Sequence, residues 1–446
     1  MPSLVVNAFQ DASHLSSQNQ PAAALKDLNL VLDYYPWRAD VWECLGMDAL
    51  QAGDFETAIR GLKRAQGMGG LSTEGYIQLG DAYDQAGDVA KAISTWKLIL
   101  QSSGPSIELF QRLEDNYKDT GNYDERVNIL QQWVNWQPQD GKVIYRLGLL
   151  VAARQPDEGL KILLEAAQID PGLDTSVRIL QTGINSAYGL NDMAYQLVQT
   201  GRAMGSLGEW DAAAEAFTQA VKTTPSFADG WAFLGQAQQY LGLDGQSALQ
   251  KALTLNPDSL ITKAMQALYW QQQGQADKAL AYLQDVAIQE PNNGIWQVEI
   301  GNIAAQKGDL TTAVESYQKA LQIEPRNPVY WRVLAAFSAN FDYNLTEIGL
   351  PAARQAVTLA PDDPANQDVL GQVLSALHDL STAERFFLKA LSLDPQYSPA
   401  YLHIGLIYLD EGENSAGLQA LKQAVKFAPS QSFRDQVQKL LDRYSQ

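Results

Sequence analysis

The sequence predicts an all-α fold built from about twelve stacked pairs of antiparallel helices. Prolines return at intervals close to 34 residues along nearly the whole chain. Glycines return with the same period at a different phase. Between them, apolar residues recur at i, i+3, i+4 and i+7, the spacing of a helix with one buried face. Such a repeat, running through 446 residues, indicates a solenoid and not a single compact core.

One period, residues 39–66, shows how each unit is built. Its first helix has an apolar stripe that contains Trp42, Leu45 and Gly46. The tripeptide Ala-Gly-Asp then interrupts the helix, and the second helix carries the small residue Ala58. Small residues on both helices let the two backbones approach closely. The proline at the end of each period stops the second helix, because proline cannot continue the hydrogen-bond ladder.

Three segments carry this pattern most clearly: VWECLGMDALQAGDFETAIRGLKRA, GWAFLGQAQQYLG and EIGNIAAQKGDLTTAVESYQKALQIEP. Their large residue before a Leu-Gly or Ile-Gly pair, their later alanines and their closing proline resemble the tetratricopeptide-repeat family. The resemblance extends from about residue 5 to Pro429. It implies a right-handed superhelical α-solenoid whose first helices line a concave groove. It also implies a protein or peptide ligand, without saying which one.

The spacing is interrupted between Pro171 and Pro225, where three helix-like segments stand in place of two. We therefore expect an extra helix near residues 174–188. The alternative is a degenerate repeat within one continuous superhelix, and whether the segment is a hinge is left open. The predicted parts are a first array of about five repeats at 1–171, an irregular connector at 172–191, a second array of about seven repeats at 192–429, and a polar capping helix at 430–446.

Two smaller irregularities lie in the second array. Residues 340–347, NFDYNLTE, lengthen their unit by two residues. At His378, the dipeptide His-Asp stands where other units have Gly-Asp. We expect this histidine to have a role in the turn and not in catalysis.

Composition and charge restrict the possible functions. The chain has 32 basic and 51 acidic residues, and its net charge of −19 is spread along its length. We expect no nucleic-acid partner, because such binding relies on Lys and Arg at phosphates. The single cysteine, Cys44, excludes intrachain disulfides and multi-cysteine metal sites. With no zinc spacing or phosphate loop, the sequence predicts no enzyme, cofactor or metal. No apolar run is long enough to span a membrane, and no signal peptide is visible.

The resemblance implies that the second, fifth, sixth, ninth, twelfth and thirteenth repeat positions face a ligand. In the second to fourth units these are mostly carboxylates, which predict a groove for a basic or amide-rich segment; a plain acidic, solubilising face is the alternative. In the second array they are mostly amides and aromatics, which suit extended backbone or carbohydrate. The family's Lys and Asn clamp for a terminal carboxylate is not reproduced. The predicted partner-binding residues are Glu43, Glu74, Asp81, Asp84, Glu108, Arg112, Asp115, Asp119, Arg202, Gln236, Tyr240, Gln271, Asn302, Arg332 and His403.

These observations predict a noncatalytic protein-interaction scaffold or adaptor that holds a partner segment along its groove. One alternative is an accessory protein of bacterial envelope or polysaccharide assembly, with a membrane anchor upstream of Met1. Another is a regulatory subunit that senses a peptide. The Ala- and Gln-rich repeats favour a bacterial origin. We expect a cytoplasmic protein, or a periplasmic one if such an anchor exists. The partner and the oligomeric state are left open.

Overall fold

The computed structural model describes the backbone of residues 3–444 and the side chains of residues 5–444. Within that part of the chain, the regular structure consists of 26 α-helices, a 3-10 turn at Pro171–Leu173 and a π-helical turn at Leu345–Gly349. The predicted all-α fold is confirmed. The chain divides into two compact units, residues 1–225 and 226–446. The division predicted at 172–191 falls inside the first unit and stays a prediction.

The first unit contains six helix pairs and one helix, α11, that belongs to no pair. The extra helix predicted near 174–188 is therefore confirmed. The helices are α1 Ser3–Ser17, α2 Pro21–Tyr34, α3 Ala39–Gln51, α4 Phe55–Gly67, α5 Thr73–Gln85, α6 Val89–Ser102, α7 Ile107–Asp119, α8 Tyr123–Trp136, α9 Gly141–Ala152, α10 Pro156–Ile169, α11 Asp174–Asn185, α12 Met193–Ser206 and α13 Trp210–Thr223.

The second unit contains six further pairs and the predicted capping helix, α26. The last two residues predicted for that helix lie outside the described part of the chain. The helices are α14 Ala228–Tyr240, α15 Gln246–Leu255, α16 Leu260–Gln272, α17 Ala276–Gln289, α18 Ile295–Gln306, α19 Leu310–Ile323, α20 Pro328–Asn340, α21 Leu350–Leu359, α22 Pro364–Ala376, α23 Leu380–Leu393, α24 Ser398–Asp410, α25 Asn414–Lys426 and α26 Gln431–Tyr444.

The periodic glycines lie on the first helix of a pair and receive a large side chain from the second. A Cβ on Gly80 would overlap the indole of Trp96, and a Cβ on Gly371 would lie 2.5 Å from the Phe387 ring. In both pairs the large residue follows the glycine by sixteen positions. The glycine period in the sequence therefore records a close packing contact that is repeated from pair to pair.

Turns within a pair combine a left-handed residue with a helix cap. Gly53 has a φ of +80°, and the carboxylate of the next residue, Asp54, accepts a hydrogen bond from the Thr57 N–H at 3.1 Å. His378 has a φ of +62° at the same place before Asp379, which caps α23 in the same way. The turn role expected for His378 is confirmed.

Replacing His378 by glycine should stabilise the α22–α23 pair. The left-handed conformation costs a non-glycine residue roughly 1–2 kcal/mol, and the freedom of glycine in the unfolded chain offsets part of this gain. We expect His378→Gly to raise the local free energy of unfolding by about 0.5–1 kcal/mol, measured by native-state hydrogen exchange. In the same turn, Asp379→Ala should lower it by about 1 kcal/mol, because the cap is lost. Lower protection in the glycine variant would contradict the strain at His378.

The pair α7–α8 is built differently from its neighbours. Glu114 stands where other first helices have glycine, and Arg126 stands where the preceding pair has Ala92. The two side chains are only 3% and 10% exposed and form an ion pair at 3.4 Å. Arg146 of α9 lies 2.6 Å from the other oxygen of Glu114, and Arg126 also pairs with Asp211 of α13. A charge network centred on the buried Glu114–Arg126 pair therefore replaces the small residues in this pair.

The last pair of the first unit, α12–α13, packs against helices that precede it by many residues. Besides the Arg126–Asp211 pair, Arg154 at the end of α9 contacts Glu215 of α13 at 2.6 Å. These pairs join residues 85 and 61 positions apart. The extra helix α11 thus turns the chain so that α13 lies against the ends of α8 and α9.

Candidate partner-binding faces and a pocket at His403

All fifteen predicted partner-binding residues lie on the first helices of their pairs. We call the surface formed by these helices the first-helix face of each unit. In the first unit the residues come from α3, α5, α7 and α12, and in the second from α14, α16, α18, α20 and α24. The two faces differ in charge and shape, and their role in binding stays a prediction.

Two predicted residues of the first unit bind each other. The guanidinium of Arg112 on α7 donates to both carboxylate oxygens of Asp81 on α5, at 2.6 and 2.9 Å. The same guanidinium lies 3.9 Å from the Glu108 carboxylate. The hydrogen bond to Asp81 raises the pKa of Arg112 above its ordinary value. This pair joins two neighbouring first helices and neutralises part of the acidic face.

Asp84 is the most crowded carboxylate of this face. It is partly buried and accepts a hydrogen bond of 2.7 Å from the amide of Asn116, a buried residue that the sequence analysis missed. Burial and the neighbouring carboxylates of Asp81 and Asp119 raise the pKa of Asp84 above its ordinary value. Burial is the largest cause of this shift, the two carboxylates add to it, and the hydrogen bond from Asn116 opposes it.

The other acidic residues of the first unit divide into two groups. Glu43 accepts hydrogen bonds from the backbone N–H and the hydroxyl of Ser72, which precedes α5, so it anchors the start of that helix. Glu74 is exposed and accepts a hydrogen bond from Gln78 one turn later, at 2.8 Å. Asp115 and Asp119 are exposed on α7. The free negative charge of the face is therefore concentrated on α5 and α7.

In the second unit, several predicted residues have partners inside the array. Arg332 on α20 donates to Asp363 at 2.6 Å and to the buried Asn366 at 2.9 Å. The Asn302 side chain accepts a hydrogen bond from the Tyr317 hydroxyl at 2.9 Å. Gln271 donates to Gln306 at 3.2 Å, Gln236 is partly buried and Tyr240 is exposed. The remaining predicted residue, Arg202, belongs to the first unit and donates to Gln199 at 3.2 Å.

A pocket of about 630 Å³ opens on the first-helix face of the second unit. Its wall comes from the C-terminal ends of α20 and α22, from α23 and α24, and from the end of α26. His403 lies in this wall, so one predicted residue is part of the pocket. The lining also includes Asn340, Gln372, Ser375, His378, Leu380, Leu406, Leu409, Asp410 and Tyr444.

A buried carboxylate, Asp368, organises this pocket, and the repeat pattern in the sequence does not indicate it. Asp368 is 2% exposed. One of its oxygens lies 2.8 Å from His403 Nδ1, and the other accepts a hydrogen bond of 2.7 Å from Gln372 Nε2. The His403 ring also stacks on Phe387, with 5.1 Å between ring centroids. Packing and hydrogen bonds therefore fix the side chains of His403 and Gln372 in the pocket wall.

Across the described residues, no three His, Cys, Asp or Glu side chains are grouped as a metal site would require. Burial raises the pKa of the Cys44 thiol above its ordinary value, which disfavours the reactive thiolate. No helix between residues 3 and 444 is both long and apolar enough to cross a bilayer.

Comparison with protein families decides the identity of the fold. Two models described as tetratricopeptide repeat match the chain, one at residues 44–105, 199–259 and 264–328, the other at 368–397 and 398–431. These ranges cover more than half of the 446 residues. The chain belongs to the tetratricopeptide-repeat family. The matched ranges leave out residues 106–198, which contain Glu114, Arg126 and α11, and residues 329–367, which contain the π-helical turn.

Individual proteins are similar to parts of the chain. The small glutamine-rich tetratricopeptide repeat-containing protein 2 of Mycosarcoma maydis is 33% identical over 89 residues, which are 20% of this chain and 25% of that protein. Human tetratricopeptide repeat protein 6 is 23% identical over 232 residues, 51% of this chain and 38% of that protein. The chain therefore spans less than half the length of these relatives.

Solved structures of other tetratricopeptide-type proteins are also similar. Yeast Tom70 has a TM-score of 0.46 at 12% identity, with 99% of this chain and 95% of that chain covered. A repeat protein of Parabacteroides merdae has a TM-score of 0.44 at 17% identity, with 56% and 98% covered. The repeat solenoid is typically a noncatalytic, protein-binding architecture.

Proposed function

We propose that this protein is a noncatalytic interaction scaffold that binds a basic segment of a partner protein along the first-helix face of α5 and α7. The observation that supports it is the group of exposed carboxylates Glu74, Glu108, Asp115 and Asp119 on two neighbouring first helices. Arg112 is the basic residue that pairs with this group, and it is already bound by Asp81.

The physical reason is electrostatic. The raised pKa of Asp84 shows that its negative charge is disfavoured by burial and by its acidic neighbours. Lys or Arg side chains of a partner would relieve that repulsion and would be drawn to the face by its field. Charges of this kind at an interface raise the association rate, and salt screens their attraction. Binding of the partner should therefore weaken as salt is raised, which an uncharged groove would not show.

Neutralising the exposed carboxylates should weaken the selection of basic segments by the α5–α7 face. The variant Glu74→Gln, Asp115→Asn and Asp119→Asn keeps the shape of each side chain and leaves the Asp81–Arg112 pair intact. Random-peptide display at low salt should enrich Lys- and Arg-rich sequences on the unaltered protein. The same selection on the variant should enrich them at least about tenfold less, because each lost charge pair removes a few tenths to about 1 kcal/mol.

The matched control replaces three exposed carboxylates of second helices, Asp33, Glu56 and Glu165, by their amides. This control has the same net charge as the test variant and should select the same basic peptides as the unaltered protein. If both variants lose selection equally, overall charge and not the α5–α7 face attracts the peptides, and the proposed site is wrong.

A bacterial origin, the cytoplasmic or periplasmic location and the alternative role in envelope assembly stay predictions. The curated relatives come from a fungus and from human, which does not favour a bacterial origin. A partner bound through basic residues is compatible with either compartment.

A further inference from the structure

We propose that the pocket at His403 binds the arginine side chain of a partner segment. This inference rests on the proposed function, because it names a residue type that the scaffold recognises at a second place. It concerns a different unit of the chain from the α5–α7 face. Four features carry it: the direction of the polar groups, the free carboxylate, the apolar wall and the volume.

Asp368 determines which atoms of its neighbours remain available to a ligand. A carboxylate only accepts hydrogen bonds, so the Gln372 atom next to it is the amide nitrogen, and the His403 atom next to it, Nδ1, carries a hydrogen. In the neutral ring, Nε2 is then an acceptor. The Gln372 carbonyl oxygen is an acceptor as well. Neither atom has a partner in the described part of the chain.

The charged group of the pocket is also an acceptor. Asp410 lies on α24 two turns after His403, on the same face of that helix, and its carboxylate is exposed. It makes no ion pair within residues 5–444. No Lys or Arg is among the lining residues that the structure describes. The surface therefore offers a carboxylate, an amide oxygen and an imidazole nitrogen to a group that donates hydrogen bonds and carries positive charge.

Among cationic side chains, arginine suits this surface best. Its planar guanidinium has five N–H donors in a fixed arrangement, so it can reach several separated acceptors at once. Its aliphatic stem would lie against Leu380 and Leu406, of which Leu406 is 37% exposed in the empty pocket. The aromatic ring of Tyr444 lies at the rim, where the Arg443 guanidinium is 5.7 Å from its centroid. A volume of about 630 Å³ admits this side chain with adjoining backbone.

Peptides that differ at one residue test the proposal on the full-length protein. The probe is acetyl-Ala-Ala-Arg-Ala-Ala-amide, compared with the same peptide carrying citrulline or lysine in place of arginine. Citrulline keeps the shape of arginine and removes its charge. Binding would be followed by the NMR signals of the Leu406 and Leu409 methyl groups, which report on this pocket and not on the α5–α7 face.

We expect the arginine peptide to shift these methyl signals, the lysine peptide to bind more weakly, and the citrulline peptide to bind at least about tenfold more weakly. Asp410→Asn should weaken the binding of the arginine peptide by about tenfold or more. The control Glu411→Gln, one residue further on and outside the pocket wall, should leave the affinity for that peptide unchanged. Equal binding of arginine and citrulline peptides, or no methyl shift with any peptide, overturns the proposal. Failure of the proposed function would look different, since the variant Glu74→Gln, Asp115→Asn and Asp119→Asn would then select the same peptides as the unaltered protein, while Asp410→Asn still weakened binding of the arginine peptide.

Discussion

Replacing Arg126 by alanine should destabilise the α7–α8 pair by about 3 kcal/mol. Removal of one partner from a buried ion pair typically costs roughly 3–5 kcal/mol, because the other charge stays buried. We expect the lower end of that range, since Arg146 still lies 2.6 Å from Glu114 in the variant. The measurement is native-state hydrogen exchange of amides in α7 and α8, because repeat arrays need not unfold in one step.

The double variant Glu114→Gly with Arg126→Ala should recover most of that loss. It gives α7–α8 the small residues that the preceding pair has at Gly80 and Ala92. Arg126 Nε has no hydrogen-bond partner among the described residues, so the network is incompletely satisfied. The double variant removes both buried charges, and Arg146 and Asp211, which are 38% and 37% exposed, remain accessible to water. Similar protection in Arg126→Ala and in the unaltered protein would show that the pair contributes little to stability.

Replacing Gly159 by alanine should destabilise the α9–α10 pair by about 1–3 kcal/mol. The added Cβ would overlap the backbone nitrogen and Cα of Ala152 on α9, and a backbone cannot turn aside as a flexible side chain can. The two helices would have to separate, which loosens the contacts around them. The loss would be measured as a lower urea midpoint for the cooperative step that contains α9 and α10.

The matched control is Gly67→Ala, at the end of α4. A Cβ on Gly67 meets nothing within 4 Å, and alanine has a better helix propensity than glycine by up to about 1 kcal/mol. The same substitution should therefore stabilise one pair and destabilise the other. If both variants gain stability, the prediction that α9 and α10 are too close to admit a Cβ at Gly159 is wrong.

The periodic features of the fold could be predicted from sequence because each position in a repeat meets the same neighbours. The spacing of prolines and glycines predicts the number of pairs, and three helix-like segments between Pro171 and Pro225 predict α11. The period does not show that the large residue before a Leu-Gly pair makes a hydrogen bond. In the structure the Trp42 indole donates to the carbonyl of Pro36, six residues earlier, at 2.9 Å.

The aperiodic features could not be predicted in the same way. No repeat rule places Asp211 beside Arg126, since that contact depends on how α11 turns the chain. Likewise, the sequence pattern places Glu43 on a ligand-facing position but does not show that Ser72 engages its carboxylate. Contacts across an irregular connection require the three-dimensional path of the backbone.

One signal in the sequence would have identified several polar pairs. Neighbouring first helices are joined by side chains about one repeat apart: Arg112 with Asp81 at a separation of 31, and His403 with Asp368 at a separation of 35. A search for acidic and basic residues at such separations would have paired Asp81 with Arg112. It would also have indicated the buried carboxylate behind His403.

The most direct test of the account is the affinity of one display-selected basic peptide, measured by isothermal titration calorimetry. The titrations compare the unaltered protein, the Glu74, Asp115 and Asp119 amide variant, and the Asp33, Glu56 and Glu165 amide control. We predict binding at least about tenfold weaker in the first variant only, and weaker binding to the unaltered protein when salt is raised. The same Kd for all three proteins, unchanged by salt, would contradict the claim that this scaffold recognises partners through the acidic face of α5 and α7.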